Sequence, residues 1–415
     1  MVITLCSTFL ITLIMVYMIY YNLMSLQAYF GTPEKVTHYK ARKTFLILIP
    51  AMNEESVISI PVSDLLDQDY PKNKFRVCVV ADHCNDNTAK VAIENGACVI
   101  TENTCPEAKR HGVGKSNTLD YGLHCIPDWK SYDYLIVIDS DNNVSSNFLQ
   151  RMNDYACQFD EPEAIQACLE SKKGHGFINT GLNMSFVRSN YFQQMPESKH
   201  DCASILGTGF ATSIKKVLAP IDGFRFRTLT EDAYEELSIL SNGGRIKFIP
   251  DCYIINENYS KLKQAKRGIT RWQRGTFQCF LYFFNWSLSH VLIKPSIKSL
   301  HVLCRTTTLS KMLQLIIVWG SWLYTYISDA YLTAGFRLLI YPDWLQKVMF
   351  IASVIMTINI VLLENFYLLK SKHGLLKTTY MIFQAYLFQL FCNLTGLVAV
   401  STFWKNKWIV SSHGK

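Results

Sequence analysis

Hydrophobic positions are spread unevenly along this chain, and their spacing predicts two kinds of element. Residues 3–26 form an apolar run without a charge, long enough to cross a bilayer. Further apolar runs lie near 310–328, 348–369 and 378–403. Between them the pattern changes. Residues 44–51 read Thr-Phe-Leu-Ile-Leu-Ile-Pro-Ala, a short apolar run that predicts a buried strand. A helix capped by Asn53 is expected next, reaching about Leu66. Phe75 to Ala81 predicts a second strand, Asn85 to Thr88 the cap of another helix, and Ala97 to Thr101 a third strand. A helix near 116–125 follows Gly112-Val-Gly114-Lys115, and Tyr134 to Ile138 is the next strand. Ala164 to Leu169 and Ser204 to Phe210 read as later strands, and Thr230 to Leu240 as a helix. This alternation predicts an α/β fold with a parallel, doubly wound sheet.

The same pattern divides the chain of 415 residues. Residues 1–28 are expected to hold an amino-terminal transmembrane helix, and 35–290 one soluble domain. Residues 296–415 would supply interfacial and transmembrane helices with a basic tail. Within 272–295, Trp272, Phe277, Phe280, Tyr282, Phe283, Phe284 and Trp286 occur with few charges, which predicts an interfacial helix. No Lys or Arg precedes the first run, whereas Lys35, Lys40, Arg42 and Lys43 follow it. That bias puts the domain in the cytoplasm, on a multi-pass protein of the cell membrane. Lys370, Lys372 and Lys377 before the last run, and Lys405, Lys407 and Lys415 after it, pull both its ends inside. A re-entrant segment bending at Asn393-Leu-Thr-Gly396 resolves that conflict. The net charge of +8 is explained by juxtamembrane residues facing anionic lipid, so no nucleic-acid partner is implied. Thirteen scattered cysteines with no C-x-x-C pair suggest neither a disulfide framework nor a zinc site.

The candidate chemistry lies in three acidic stations: Asp82 in Val-Val-Ala-Asp, Asp139-Ser-Asp141 after Tyr-Leu-Ile-Val-Ile, and Glu231-Asp232 in Leu-Thr-Glu-Asp. The first two close apolar strands, where open α/β sheets place ligands. Asp139 and Asp141 suit Mg²⁺ or Mn²⁺ carrying a diphosphate, with another carboxylate left to act as a base. Asp82 is either a helix cap or a contact to uracil or ribose, and Glu54 has a weaker case of the same kind. Lys115 either neutralises the diphosphate or is a surface lysine. Asp232 is the candidate base, although Glu231 and Asp232 could instead serve only the dipole of their helix. A fourth station, Arg271-Trp272, offers a guanidinium to the departing diphosphate and an indole face to an acceptor sugar.

Together these residues resemble the inverting family 2 glycosyltransferases of GT-A fold. The likeness is closest to the membrane-embedded branch containing cellulose, chitin, hyaluronan and poly-N-acetylglucosamine synthases. Ile-Pro-Ala-Met-Asn53-Glu54-Glu55, Asp82-His-Cys-Asn-Asp-Asn-Thr, Asp139-Ser-Asp141-Asn142 and Thr230-Glu231-Asp232 stand in that family's order. Gly207-Thr-Gly209-Phe210 resembles its acceptor-side loop, and Trp408 through His413 its cytoplasmic tail. The resemblance implies that Asp82 contacts nucleotide, Asp139 and Asp141 serve UDP and metal, and Asp232 is the base. One departure stands out: where processive members carry Gln-x-x-Arg-Trp, the glutamine position is Gly268.

The leading expectation is a membrane enzyme building an exported polysaccharide from a UDP-sugar, with the growing glycan as its acceptor. The alternative, favoured by Gly268, is transfer of one sugar to a lipid or lipid-linked acceptor. A non-enzymatic membrane protein or transporter is disfavoured, because the apolar runs hold few charges besides Glu364. The sequence names neither the sugar nor any partner subunit.

Overall fold

A computed structural model describes residues 2–105, 114–172, 174, 176–226, 228–259, 261–306, 311–331, 341–369 and 374–405. Gly112, Lys370, Lys372, Lys407, Lys415 and the Trp408–His413 tail lie outside the described residues. The strands are β1 (Phe45–Ala51), β2 (Phe75–Ala81), β3 (Cys98–Thr101), β4 (Tyr134–Val137), β5 (Asn143–Val144), β6 (Ala164–Ser171), β7 (Phe210–Ser213) and β8 (Ile246–Asn256). They form one sheet in the order β3-β2-β1-β4-β7-β6-β8-β5. The helices of the first half are α1 (Val2–Phe30), α2 (Ser59–Leu66), α3 (Thr88–Glu94), α4 (Lys115–His124), α5 (Phe148–Gln158), α6 (Phe177–Ser189) and α7 (Met195–Lys199). Those of the second half are α8 (Glu231–Ser241), α9 (Leu262–Ile293), α10 (Ile297–Thr306), α11 (Lys311–Tyr331), α12 (Asp343–Ile358), α13 (Glu364–Leu369) and α14 (Leu375–Val400).

The continuous apolar runs of β1, β2 and β4 follow from burial on both faces. Leu46, Leu48, Val80, Leu135 and Val137 point into one core. Phe45, Ile47, Ile49, Val79 and Ile136 point into the other. The sheet is mixed rather than wholly parallel. β3, β2, β1 and β4 run parallel, but β7 is antiparallel to both β4 and β6. Sheet order departs in opposite directions from the β1–β4 pair. The chain after β1 and after β4 therefore opens into a crevice at the carboxyl edge, the switch point of such sheets.

Four sequence expectations need correction. Asn53 does not cap a helix. It holds a left-handed backbone (φ 59°) and its Oδ1 accepts the Asn85 N–H at 2.7 Å, so α2 starts only at Ser59. The strand expected at 204–210 begins at Phe210, because β7 takes its register from β4, pairing Phe210 with Val137. The aromatic segment 272–295 is the later part of one 32-residue helix, α9, which already contains Arg271 and Trp272. The bend at Asn393–Gly396 is absent, since α14 runs unbroken for 26 residues. Every backbone group in that stretch keeps its helical partner, which an apolar environment demands.

Among the described residues, three helices are long and apolar enough to cross a membrane: Val2–Phe30, Asp343–Leu363 and Leu376–Val400. α1 packs on α11 and α12 through Ile11, Ile14, Met15 and Met18 against Leu315, Val318, Trp322 and Met356. The helices flank the sheet domain rather than interrupt it.

Candidate active site

Each acidic station is set by the end of an element. Asp82 follows β2 and is buried. Its Oδ2 accepts a 2.6 Å hydrogen bond from Thr118 Oγ1, and its Oδ1 lies 2.7 Å from His83 Nδ1. Thr118 sits one turn after Lys115 on α4, so a single helix face reaches two stations. Lys115 Nζ donates to Asp139 Oδ1 and, at 2.6 Å, to the Gly207 carbonyl. It also stands 3.9 Å from Glu231 Oε1. Burial opposes its charge, but Asp139, Glu231 and Asp232 outweigh burial and lift its pKa above the lysine value. Lys115 is therefore the cation at the centre of the site and not a solvated surface lysine.

The loop after β4 is fixed by a chain of polar contacts. The Asp139 N–H donates to Thr208 Oγ1 at 3.0 Å, and Thr208 Oγ1 donates to Asn142 Oδ1 at 2.6 Å. Asn142 Nδ2 in turn donates to Asp141 Oδ1 at 3.0 Å and Asn256 Oδ1 at 2.7 Å. Across the crevice, the Glu54 N–H donates to Thr88 Oγ1 at 2.8 Å. Burial pushes the Glu54 carboxyl up to about 8, and Asp141, Asp86, Asp139 and Glu257 add to that. Negative charge is thus concentrated around Glu54 and the two aspartates. Such a set fits a divalent cation that shares its shell with diphosphate oxygens and water. No three acidic, His or Cys side chains converge on a point among the described residues, so an all-protein cage is not formed.

Glu231 and Asp232 begin α8. Burial pushes Glu231 up to about 7, with Asp232 adding to the shift while Lys115 and Arg271 oppose it. Burial likewise raises Asp232. The Asp232 carboxylate lies over Gly207, where a Cβ would be 3.2 Å from Oδ2. Gly207 also needs φ of 81°, so both space and backbone call for glycine. α9 is pressed against the start of α8 at Gly275, where a Cβ would overlap Thr230. That close approach brings Arg271 in. Its Nη1 donates to the Leu229 carbonyl at 3.0 Å, and its charge acts on Glu231, Asp232 and Tyr259.

Trp272 remains 37% exposed, enough to offer an indole face, and its ring centre is 6.1 Å from that of Tyr259. Sequence reasoning missed Tyr259. Its hydroxyl lies where a Cβ on Gly268 would go, with Cζ only 2.7 Å from that point. The space a longer residue at 268 would fill is occupied by this phenol. The absent glutamine was the available signal, but nothing in the sequence linked Gly268 to a residue nine positions earlier.

The geometry brings Lys115, Asp139, Glu231, Asp232 and Arg271 together, with Asp82 attached through α4 and Glu54 across the crevice from Asp141. Against known proteins, a family model described as glycosyltransferase like family 2 matches residues 41–275. The beta-monoglucosyldiacylglycerol synthase of Synechocystis is 22% identical over 244 residues, covering 58% of this chain and 49% of that protein. A probable glycosyltransferase of Bacillus subtilis, YdaM, is 28% identical over 257 residues, covering 57% of this chain and 56% of that one. The chain thus spans about half the length of these curated relatives. A mannosyltransferase from Pyrobaculum calidifontis, solved with GDP-Man and Mn²⁺, superposes with a TM-score of 0.55 at 14% identity. That alignment covers 95% of this chain and 98% of the other, which extends the fold likeness to the flanking helices.

Proposed function

The chain belongs to the glycosyltransferase like family 2, and from that premise we propose that it transfers one sugar from a UDP-sugar to a membrane lipid. The observation that carries the reaction is the meeting at Lys115 of Asp139 from one station and Glu231 from another, beside Asp232 and Arg271. Asp232 would remove the proton of the acceptor hydroxyl as its oxygen attacks the anomeric carbon. The bond from that carbon to the diphosphate oxygen breaks on the opposite face, which inverts the configuration. The raised pKa of Asp232 suits a base, because it holds the transferred proton better than an ordinary aspartate. Lys115 and Arg271 would stabilise charge developing on the diphosphate. Asp82 would contact the nucleoside, and Glu54 would line the same crevice.

Asp141, with Asp139, would hold Mg²⁺ or Mn²⁺. When bound, the ion supplies Lewis-acid neutralisation of the diphosphate. The crowding of like charge around Glu54 supports that assignment.

Two observations favour a lipid acceptor over a growing glycan. Tyr259 fills the space beside Gly268 and faces Trp272, narrowing the acceptor side. Three helices long and apolar enough to span a membrane flank the domain. The relative that makes a glucosyl-diacylglycerol agrees with this reading.

The test is Asp232→Asn in the full chain, assayed for UDP release with each UDP-sugar and Mn²⁺. Release should fall by about 10²- to 10⁴-fold, the usual contribution of a positioned base, while UDP affinity stays unchanged. Undiminished release would mean that Asp232 is not the base. Chelating the metal should abolish release in the unmutated chain.

A further inference from the structure

Away from the acidic stations, a cavity of about 340 Å³ opens among α6, α11, α14 and the π-helical segment Asn359–Leu363 that continues α12 into α13. Gly181, Arg188, Ile316, Ile360, Asn365 and Phe388 mark its walls. Two of its walls belong to Asp343–Leu363 and Leu376–Val400, helices fit to cross a bilayer. The lining is mostly apolar, and Arg188 is its one charged group.

Arg188 is partly buried, and among the described residues no hydrogen bond or ion pair engages its guanidinium. The facing titratable groups are Tyr17 and Tyr21 of α1, Glu364 of α13 and Tyr386 of α14. Glu364 is the sole anion in that set, and both its oxygens are engaged. One accepts from Tyr21 Oη at 2.7 Å and the other from Ser25 Oγ at 2.6 Å. Glu364 offsets part of the cost of the guanidinium in apolar surroundings, but among the described residues no carboxylate pairs with it directly, and its planar fork matches a phosphate. The cavity is of a size that takes part of a long apolar ligand.

We propose that this cavity seats an anionic glycerophospholipid, one acyl chain between α11 and α14 and its phosphate at Arg188. The site also borders the acceptor side. A Cβ at Gly181 would overlap Phe388, and Phe388 clusters with Ala265, Ile269 and Tyr259. Ile269 precedes Arg271 and Trp272 on α9 by less than one turn. A lipid here would brace the helix that carries them. The proposal rests on the reading of these helices as membrane-embedded, and not on the identity of the sugar or the acceptor.

The test is direct binding to the detergent-purified full chain by native mass spectrometry, with palmitoyl-oleoyl phosphatidylglycerol and phosphatidylcholine as probes. One phosphatidylglycerol should bind about tenfold more tightly than phosphatidylcholine, a difference fitting a charge-assisted contact. Arg188→Gln should erase that preference, and a Trp in place of Ala385, which lines the cavity on α14, should fill it and remove the tight site (Ala385→Trp). Equal affinity for both lipids, or tight binding that survives Ala385→Trp, overturns the proposal. A diazirine-bearing phosphatidylglycerol on the unmutated chain decides the matter even if a variant does not fold. Crosslinks should map to α6 and α14, and crosslinks confined to other helices overturn the site. Because binding is read without donor or acceptor, a chain that binds phosphatidylglycerol selectively but releases no UDP contradicts only the transferase reading. One that transfers sugar without lipid preference contradicts only this site.

Discussion

Lys115 stands between carboxylates that sequence spacing places far apart, and its cation opposes the burial that raises Glu231 and Asp232. Glu231 is pushed up to about 7 and Asp232 is raised, both mainly by burial, with Lys115 holding each down. A base must be deprotonated to work, and burial raises Asp232, so the acid limb of UDP release should lie above the ordinary aspartate range. Lys115→Met removes the opposing cation, so the acid limb of kcat/KM should move to higher pH by about one unit. A limb that stays put would show that Lys115 does not face the base. Tyr259 and Gly268 make a second residue-scale case. Gly268→Ala should displace the phenol and raise KM for the acceptor more than for the donor. Adding Tyr259→Ala should relieve the clash, giving a coupling on the order of 1–2 kcal/mol in a double-mutant cycle. The sequence made Asp82, Asp139, Asp141 and Asp232 legible because each lies just past the end, or at the start, of a patterned element, whereas Arg271, inside α9, was marked only by the Arg-Trp pair. It left Tyr259 and the centrality of Lys115 hidden, since those depend on which loops meet.

At the scale of elements, α10 ties the helix of the candidate base to the membrane side. Glu236, one turn along α8 from Asp232, accepts from Arg305 Nε at 3.0 Å and lies 3.2 Å from His301 Nε2. His301 Nδ1 meets Tyr20 of α1 at 2.9 Å and Glu197 of α7 at 3.4 Å. Burial works against the imidazolium, but Glu197 and Glu236 outweigh it and push its pKa up to about 9. The folded pKa lies above the unfolded value of about 6.5, so this stabilisation is complete below pH 6.5 and is lost as pH rises through 9. Thermal unfolding of the full chain in detergent should therefore fall between those limits by an amount on the order of 3 kcal/mol. His301→Gln should flatten that dependence, and an unchanged slope would remove His301 as its source. None of this network was readable in sequence, because its partners lie 65 to 281 residues apart. β1, β2 and β4 were readable, because burial on both faces leaves an unbroken apolar run. The start of β7 is hidden because its register comes from β4, and the start of α9 is hidden because its first turns, Leu-Lys-Gln-Ala-Lys-Arg, are polar.

Across the whole molecule, a mixed sheet places its carboxyl edge beside helices apolar enough to enter a bilayer. Lysines on either side of an apolar run suggest a bend in α14, but the helix that forms instead satisfies its own backbone. α9 and the end of α14 are joined, Gln273 Nε2 donating to the Cys392 carbonyl at 2.8 Å and Gln278 Nε2 to the Phe403 carbonyl at 3.0 Å. The helix carrying Arg271 and Trp272 is thereby fastened to a candidate span. In the proposed reading, an acceptor hydroxyl at the membrane surface would meet Asp232 beside this helix. Product size reads this arrangement most directly. The full chain in phosphatidylcholine–phosphatidylglycerol vesicles with lipid extract, Mn²⁺ and isotope-labelled UDP-sugars should yield, in the organic phase, a lipid heavier by one sugar residue. A ladder of repeating sugar masses, or labelled polymer in the aqueous phase, would contradict the account.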